Sequence, residues 1–397
     1  MIGQHLRVCY FGTYRANYAR NQMMIAGLRR DGVQVIECHE QLWHGIEDRV
    51  QVTRGGWLRP SFWWRVLRTC TRLLWSYRKV PDYDVMVVGY PGQFDVFLAR
   101  LLTWLRRKPL VWDVFMSIYL IALERGLEQH SALTVGAVRR MEWLACRLPD
   151  MLIIDTAEYS RWFHYTHGVT LDRFRLVPTG ADDRIFKPAI GRDTQDGFFR
   201  IVYYGTFIPN HGVEYIVEAA RLLADDPAIR FELIGTGPDE VKALMLVQRY
   251  SLSNVIFTDW LDQAGLVKRV ARADVCLGAF GTTQQSVMTV QNKIYEGLAM
   301  AKPVISGDSP ALRQAFTHGE HIYLCKRDDP QSLAEAIRTL KCDSTLRQQL
   351  AQGGHRLFCE QYDLAHKGQC FRRHLEEVVA GRSRKPKPEL PEHSKSR

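Results

Sequence analysis

Lys293 and Glu296 stand at i and i+3 in a helical stretch, so a cation and a carboxylate share one helix face. They belong to the run TVQNKIYEGLAMAKPVIS at 289–306, which reads as a loop, a helix beginning at Asn292 and a buried strand beginning at Pro303. Asn292 suits an N-cap. The unpaired amides of a first helical turn, with the helix dipole, make the turn through Val290, Gln291, Asn292 and Lys293 a natural anion site. Amides and a cation suit a diphosphate, and a carboxylate one turn deeper suits the vicinal hydroxyls of a ribose. The same residues also fit a capped helix with a surface ion pair.

Two more strand-to-helix loops carry candidate groups. The first, YGTFIPNHG at 204–212, offers flexible backbone at Gly205, a hydroxyl at Thr206 and an imidazole at His211 ahead of a helix N-terminus. The second, Gly235-Thr236-Gly237-Pro238, is similarly placed, but Pro238 and Asp239 break the spacing of a dinucleotide fingerprint. A lone histidine is often structural and either loop alone is a weak signal. Three loops at one sheet edge point to one phosphate-binding wall. In the N-terminal half, Gly12, Thr13 and Tyr14 follow the first strand, where Gly12 permits a close backbone approach to a ligand or makes a plain turn. Asp113 ends a later strand at the edge where catalytic groups collect, with helix capping as its other role. Asp82-Tyr83-Asp84 has a metal-site spelling but precedes a strand, whose start it caps or solvates.

The elements that must position these loops follow from the apolar pattern. Strands are expected at 6–11, 33–38, 83–88, 109–112 and 151–154, then at 200–204, 230–234, 255–257, 275–277, 303–305 and 322–324, with helices between them. Alternating strands and helices give parallel sheets. The expected architecture is α/β, two doubly wound Rossmann-like domains facing each other across a cleft. The N-terminal domain spans 1–184, a proline-, glycine- and charge-rich linker 185–199, and the C-terminal domain 200–360. A helix at 361–380 returns to the N-domain, and 381–397 forms a disordered basic tail.

The chain has 397 residues, 46% hydrophobic and 24% charged, in the range of globular proteins and long enough for two cores. A formal charge of +10 points to anionic partners. Nucleic acid is set aside because no motif for it is present. Nine scattered cysteines without a C-x-x-C pair fit a reducing, cytoplasmic setting and no zinc site. Neither a signal peptide nor an apolar run of transmembrane length is expected. Segment 57–79 mixes Trp57, Trp63, Trp64 and Trp75 with six basic residues and no acidic one, which suits an anionic membrane surface. An ordinary amphipathic helix with snorkelling arginines is the alternative.

The motifs in order resemble those of the GT-B glycosyltransferases, specifically family 4, the retaining group often called group 1. Val177-Pro178-Thr179-Gly180-Ala181-Asp182 is similar to the family's run before the linker, 204–212 to its glycine loop, and 232–238 to its "IVGxGP" strand. The stretch 293–304 is similar to its donor helix with "EAMAxGxPVI", and 10–14 to its N-terminal loop. The resemblance implies transfer of a sugar, with retention, from a nucleoside-diphosphate-sugar to an acceptor held by the N-domain. The aromatic-basic segment 57–79 points to a lipid-linked acceptor or growing glycan at the inner membrane face, as in cell-envelope or polysaccharide synthesis.

It implies that Glu296 holds the ribose, that the turn at Val290 and Gln291 holds phosphates or sugar, and that Gly205, Thr206 and His211 approach the diphosphate. No cofactor or metal is expected, the positive field coming from helix ends, His211 and Lys293. Three positions depart from the pattern. Met288 stands where the first of two spaced glutamates is usual, His211 where a lysine is usual, and Trp112-Asp113 where many members have His-Asp. An epimerase on this fold and a non-catalytic partner protein are the rival readings.

Overall fold

The computed structural model describes residues 6–42, 60–189 and 196–383. Trp57 and the basic tail from 384 onward lie outside them, as do the side chains of Phe62 and Trp63. The strands are β1 (Arg7–Gly12), β2 (Gln34–His39), β3 (Val85–Val88), β4 (Leu110–Asp113), β5 (Met151–Ile154), β6 (Phe174–Leu176), β7 (Phe199–Tyr204), β8 (Ile229–Ile234), β9 (Val255–Thr258), β10 (Val275–Leu277), β11 (Val304–Gly307) and β12 (Tyr323–Cys325). The N-terminal helices are α1 (Ala19–Arg30), α2 (Pro60–Arg78), α3 (Asp95–Arg106), α4 (Ile118–Glu124), α5 (Leu127–His130), α6 (Ala132–Ala145) and α7 (Ala157–His167). Those that follow are α8 (Val213–Leu222), α9 (Glu240–Arg249), α10 (Gln263–Arg272), α11 (Gln284–Met288), α12 (Asn292–Ala299), α13 (Pro310–Ala315), α14 (Pro330–Cys342), α15 (Ser344–Gln361) and α16 (Leu364–Ser383).

Two six-stranded sheets result, ordered β2-β1-β3-β4-β5-β6 and β12-β11-β10-β7-β8-β9. Every pairing is parallel. The inner strands are near-continuous apolar runs because helices cover both faces. In the first sheet Val8, Tyr10, Val87, Val111 and Ile153 face α1 and α16, while Cys9, Phe11, Val88, Trp112 and Ile154 face α2, α3 and α7. The three-residue edge strand β6, too short for a periodicity signal, was not expected from sequence.

The chain crosses to the second sheet after β6 and comes back through α16, which packs on α1. A Cβ on Gly368 would fall 2.0 Å from the Gly27 carbonyl, so the two helices cross backbone to backbone. Lys367 Nζ donates to the Pro178 carbonyl at 2.7 Å, tying the returning helix to the stretch that leaves the N-domain. The carboxyl ends of both sheets face each other: Thr156, just after β5, donates to the Met288 carbonyl at 2.5 Å. Asp82 pairs with Arg7 and Lys108, and Asp84 accepts from the Arg7 amide at 2.8 Å. Both aspartates therefore brace a strand start.

Candidate functional site

Helix α12 begins at Asn292 as expected, but its N-cap is one residue earlier than expected. Gln291, with φ −71° and ψ 142°, holds the N-cap position, and Asn292 is already helical. Gln291 does not cap the helix. Its Nε2 turns back to the Ser286 carbonyl at 3.3 Å and to Thr289, while its Oε1 is buried without a partner. The Ile294 amide donates to the Gln291 carbonyl at 3.0 Å, while the Asn292 and Lys293 amides at the helix start have no intrahelical acceptors, so this turn combines open donors with an unpaired acceptor. Val290 is buried in the apolar core beneath and positions the turn through its backbone.

Lys293 is 6% exposed, which excludes the surface ion pair. Its ammonium lies 4.0 Å from the Tyr203 ring centroid and 3.5 Å from His211 Nδ1. Gly205, at φ +138°, makes room for it: a Cβ there would stand 2.9 Å from Nζ. His211 Nδ1 lies 2.6 Å from the Thr206 carbonyl, an acceptor, so the proton sits on Nδ1 and Nε2 is left to accept. Burial and the adjacent Lys293 hold the imidazole well below its ordinary pKa. His211 is thus neutral and adds no charge, which corrects the expected positive field.

Glu296 lies one turn deeper, beside the Tyr204 hydroxyl, which donates to the Lys293 carbonyl at 3.2 Å. Burial pushes its carboxyl up to about 7, and burial likewise pushes the Lys293 ammonium down to about 7. Removing charges from water costs several kcal/mol unless they are paired, so the resting site keeps both groups poised near neutrality. An arriving anion would restore the lysine's charge.

Gly235 and Gly237 serve the site indirectly. A Cβ on Gly235 would meet the Gly205 carbonyl at 2.2 Å, and one on Gly237 the Phe207 carbonyl at 2.4 Å. The Gly205 amide donates to the Ile234 carbonyl at 2.9 Å and the Phe207 amide to Thr236 at 3.0 Å. The glycines let the loop after β8 buttress the loop after β7, and the Gly205 amide is not available to a phosphate. Gly235→Ala is expected to displace the Gly205 loop and weaken anion binding at Lys293 while Glu296 stays in place; chemical-shift mapping with added diphosphate checks it.

The N-domain candidates are placed differently. Gly12, Thr13 and Tyr14 are buried: the Thr13 amide and hydroxyl both bond Asp95, and Tyr14 donates to Glu37 at 2.8 Å. Their polar atoms hold the loop rather than meet the cleft. Asp113 is fully buried and both its oxygens are taken by Arg20, at 2.8 Å from Nη2 and 2.9 Å from Nε. The reason is the strand's period of two: Trp112 faces α3, so Asp113 points under α1. Arg20 also donates to the Val177 carbonyl at 2.6 Å, and neighbouring Asp155 has its carboxyl pushed up to about 7 by burial. Asp113 is here half of an ion pair that braces the exit to the linker. Sequence reasoning missed Arg20 and Glu124, which lie in no motif, and the role of Tyr204 at the head of the 204–212 loop, because each acts through a partner distant in the chain.

Met288, where a carboxylate is usual in the resembling family, is 5% exposed and its side chain packs into the N-domain core.

Two facing sheets with a ligand-ready edge define the GT-B class of fold, and comparison with solved structures agrees. HepE from Anabaena, in complex with UDP, superposes with a TM-score of 0.66 at 15% identity, over 94% of this chain and 100% of that one. Residues 199–343 match the family described as Glycosyl transferases group 1, so the second domain is a group 1 glycosyl transferase domain. Among curated proteins, the lipopolysaccharide core biosynthesis glycosyltransferase LpsD of Rhizobium meliloti is 26% identical over 222 residues, 55% of this chain and 59% of that protein. An exopolysaccharide phosphotransferase of Streptomyces coelicolor is 25% identical over 218 residues, 54% of this chain and 22% of that protein. The chain therefore spans less than two thirds of either relative.

Proposed function

We propose that this protein is a retaining family 4 glycosyltransferase that moves a sugar from a nucleoside-diphosphate-sugar to a lipid-linked or glycan acceptor in cell-envelope or polysaccharide assembly. The observation that carries the reading is the meeting of Lys293, the loop 205–211 and Glu296 at one strand edge of a group 1 domain. In this reading the α12 amides and Lys293 take the diphosphate, and Glu296 takes the ribose hydroxyls. The chemistry asks little covalent work of the protein. Fixed donors aimed at the departing diphosphate stabilise the charge that develops there, and a closed cleft keeps water out. No metal is assigned, and among the described residues no group of three His, Cys, Asp or Glu side chains gathers as a metal site. A thermal-shift screen across nucleoside diphosphate sugars tests the reading: one is expected to raise the melting temperature, and none doing so would contradict it.

Peripheral attachment to the inner face of an anionic membrane completes the proposal. α2 exposes Trp64, Leu67, Leu74 and Trp75, and the neighbouring α3 exposes Phe97, Leu101, Trp104 and Leu105. Both helices bury their other faces in the same core, and Arg106 of α3 stacks 4.5 Å from the Tyr77 ring of α2. Apolar residues on both faces, with one face uncovered, fit a helix at an interface. The acidic residue on these helices, Asp95, is buried against Thr13, while arginines flank both apolar strips. No helix among the described residues is long and apolar enough to span a bilayer. Replacing Trp64, Trp75 and Trp104 with alanine is expected to lower flotation with anionic phospholipid vesicles by about tenfold or more. Unchanged flotation would end the membrane assignment.

A further inference from the structure

Helix α11 lies immediately before the donor turn, and the opposite domain holds it at both ends. At its start the Gln285 amide donates to Glu124 Oε1 of α4 at 2.7 Å, and at its end the Met288 carbonyl accepts from Thr156. The side chains of Thr283 and Asn210 also lie beside Glu124 and favour its charged form. Asn210 neighbours His211 in the phosphate loop, and its carbonyl accepts from the Ser286 hydroxyl of α11. One N-domain carboxylate thus holds the Gln285 amide and faces polar side chains of two separate C-domain segments, both of which border the donor pocket.

We propose that Glu124 is the clasp of domain closure, a positioning residue that fixes α11 and the phosphate loop against the N-domain when the cleft is shut. A half-buried carboxylate needs its hydrogen bonds met. In the closed form the Gln285 amide meets them with Thr283 and Asn210 alongside, and in an open form water does. Exchanging water for protein donors is close to neutral in free energy, which suits a contact that must form and break on each turnover. Losing the carboxylate leaves the Gln285 amide without this acceptor in the closed form alone, so closure is disfavoured. The contact stands on geometry, while its consequence for transfer rests on the donor-site reading.

Small-angle X-ray scattering and hydrogen exchange of the full chain test the clasp. Glu124→Ala is expected to enlarge the radius of gyration and speed exchange of the Gln285 amide by about tenfold. Glu124→Gln, which keeps an acceptor oxygen, is expected to restore both toward the wild-type values. Thr283→Val and Asn210→Ala, which remove polar groups from the other side, are expected to loosen closure in smaller measure and serve if Glu124→Ala does not fold. Wild-type scattering and exchange in folded Glu124→Ala, or in both of these variants, would overturn the proposal. Calorimetry with UDP, GDP and ADP separates the two readings: a wild-type protein that ignores all three removes the donor assignment and leaves the scattering result standing.

Discussion

Lys293→Met is expected to lower sugar transfer by about 10²- to 10³-fold, the usual loss when one fixed donor to a developing negative charge is removed. Methionine retains the apolar stem that runs beneath Gly205, so the fold is undisturbed and only the cation is lost. Burial of an ammonium opposes folding while it is charged, and methionine removes that cost. The variant is therefore expected to be at least as stable as the wild type below pH 7, and stopped assays with parallel thermal melts separate the two effects. The folded lysine titrates at about 7 rather than 10.5. The unfolded chain therefore holds more protons between these values, and this group's contribution to stability rises with pH across that window. Diphosphate affinity follows the opposite course. As pH rises through 7 the Lys293 and Glu296 pair loses a proton, the site becomes less positive and binding weakens. Lys293→Met is expected to flatten that limb.

The largest effect on folding is expected at Arg20. Arg20→Met leaves Asp113 fully buried without its cation, and removing one partner of such a pair costs about 3–5 kcal/mol. Asp155, already pushed up to about 7 with Arg20 beside it, loses the same compensation. Asp113→Leu is expected to destabilise comparably, by stranding the guanidinium. The double variant is expected to lose less than the sum of the two, because apolar replacement of both partners is often close to neutral. Urea unfolding of the four proteins measures the coupling, and strict additivity would show that the two side chains act independently.

Much of this was legible in the sequence for physical reasons. Valine-rich runs such as 85–88 read as buried strands because parallel sheets hide both faces, and the glycine loops stood out because few other sequences permit such backbone. Lys293 and Glu296 were legible through helix periodicity. What escaped was set by distance along the chain. Asp113 read as a site carboxylate because nothing local shows Arg20 waiting under it. Gly235 and Gly237 read as ligand contacts, whereas both pack against the neighbouring loop. The position of Asn292 was misjudged by one residue because Gln291, a poor cap, takes the extended conformation. The neutrality of His211 depends on its burial and on a buried lysine far away in sequence.

Calorimetric titration with the nucleoside diphosphate that the thermal-shift screen selects, comparing the wild type with Glu296→Ala, addresses the central assignment most directly. A ribose held by hydrogen bonds to a charged group is worth about 1.5–3 kcal/mol, so affinity is expected to fall by about 10- to 100-fold with the fold intact. Equal affinity in the two proteins would contradict the donor pocket described here.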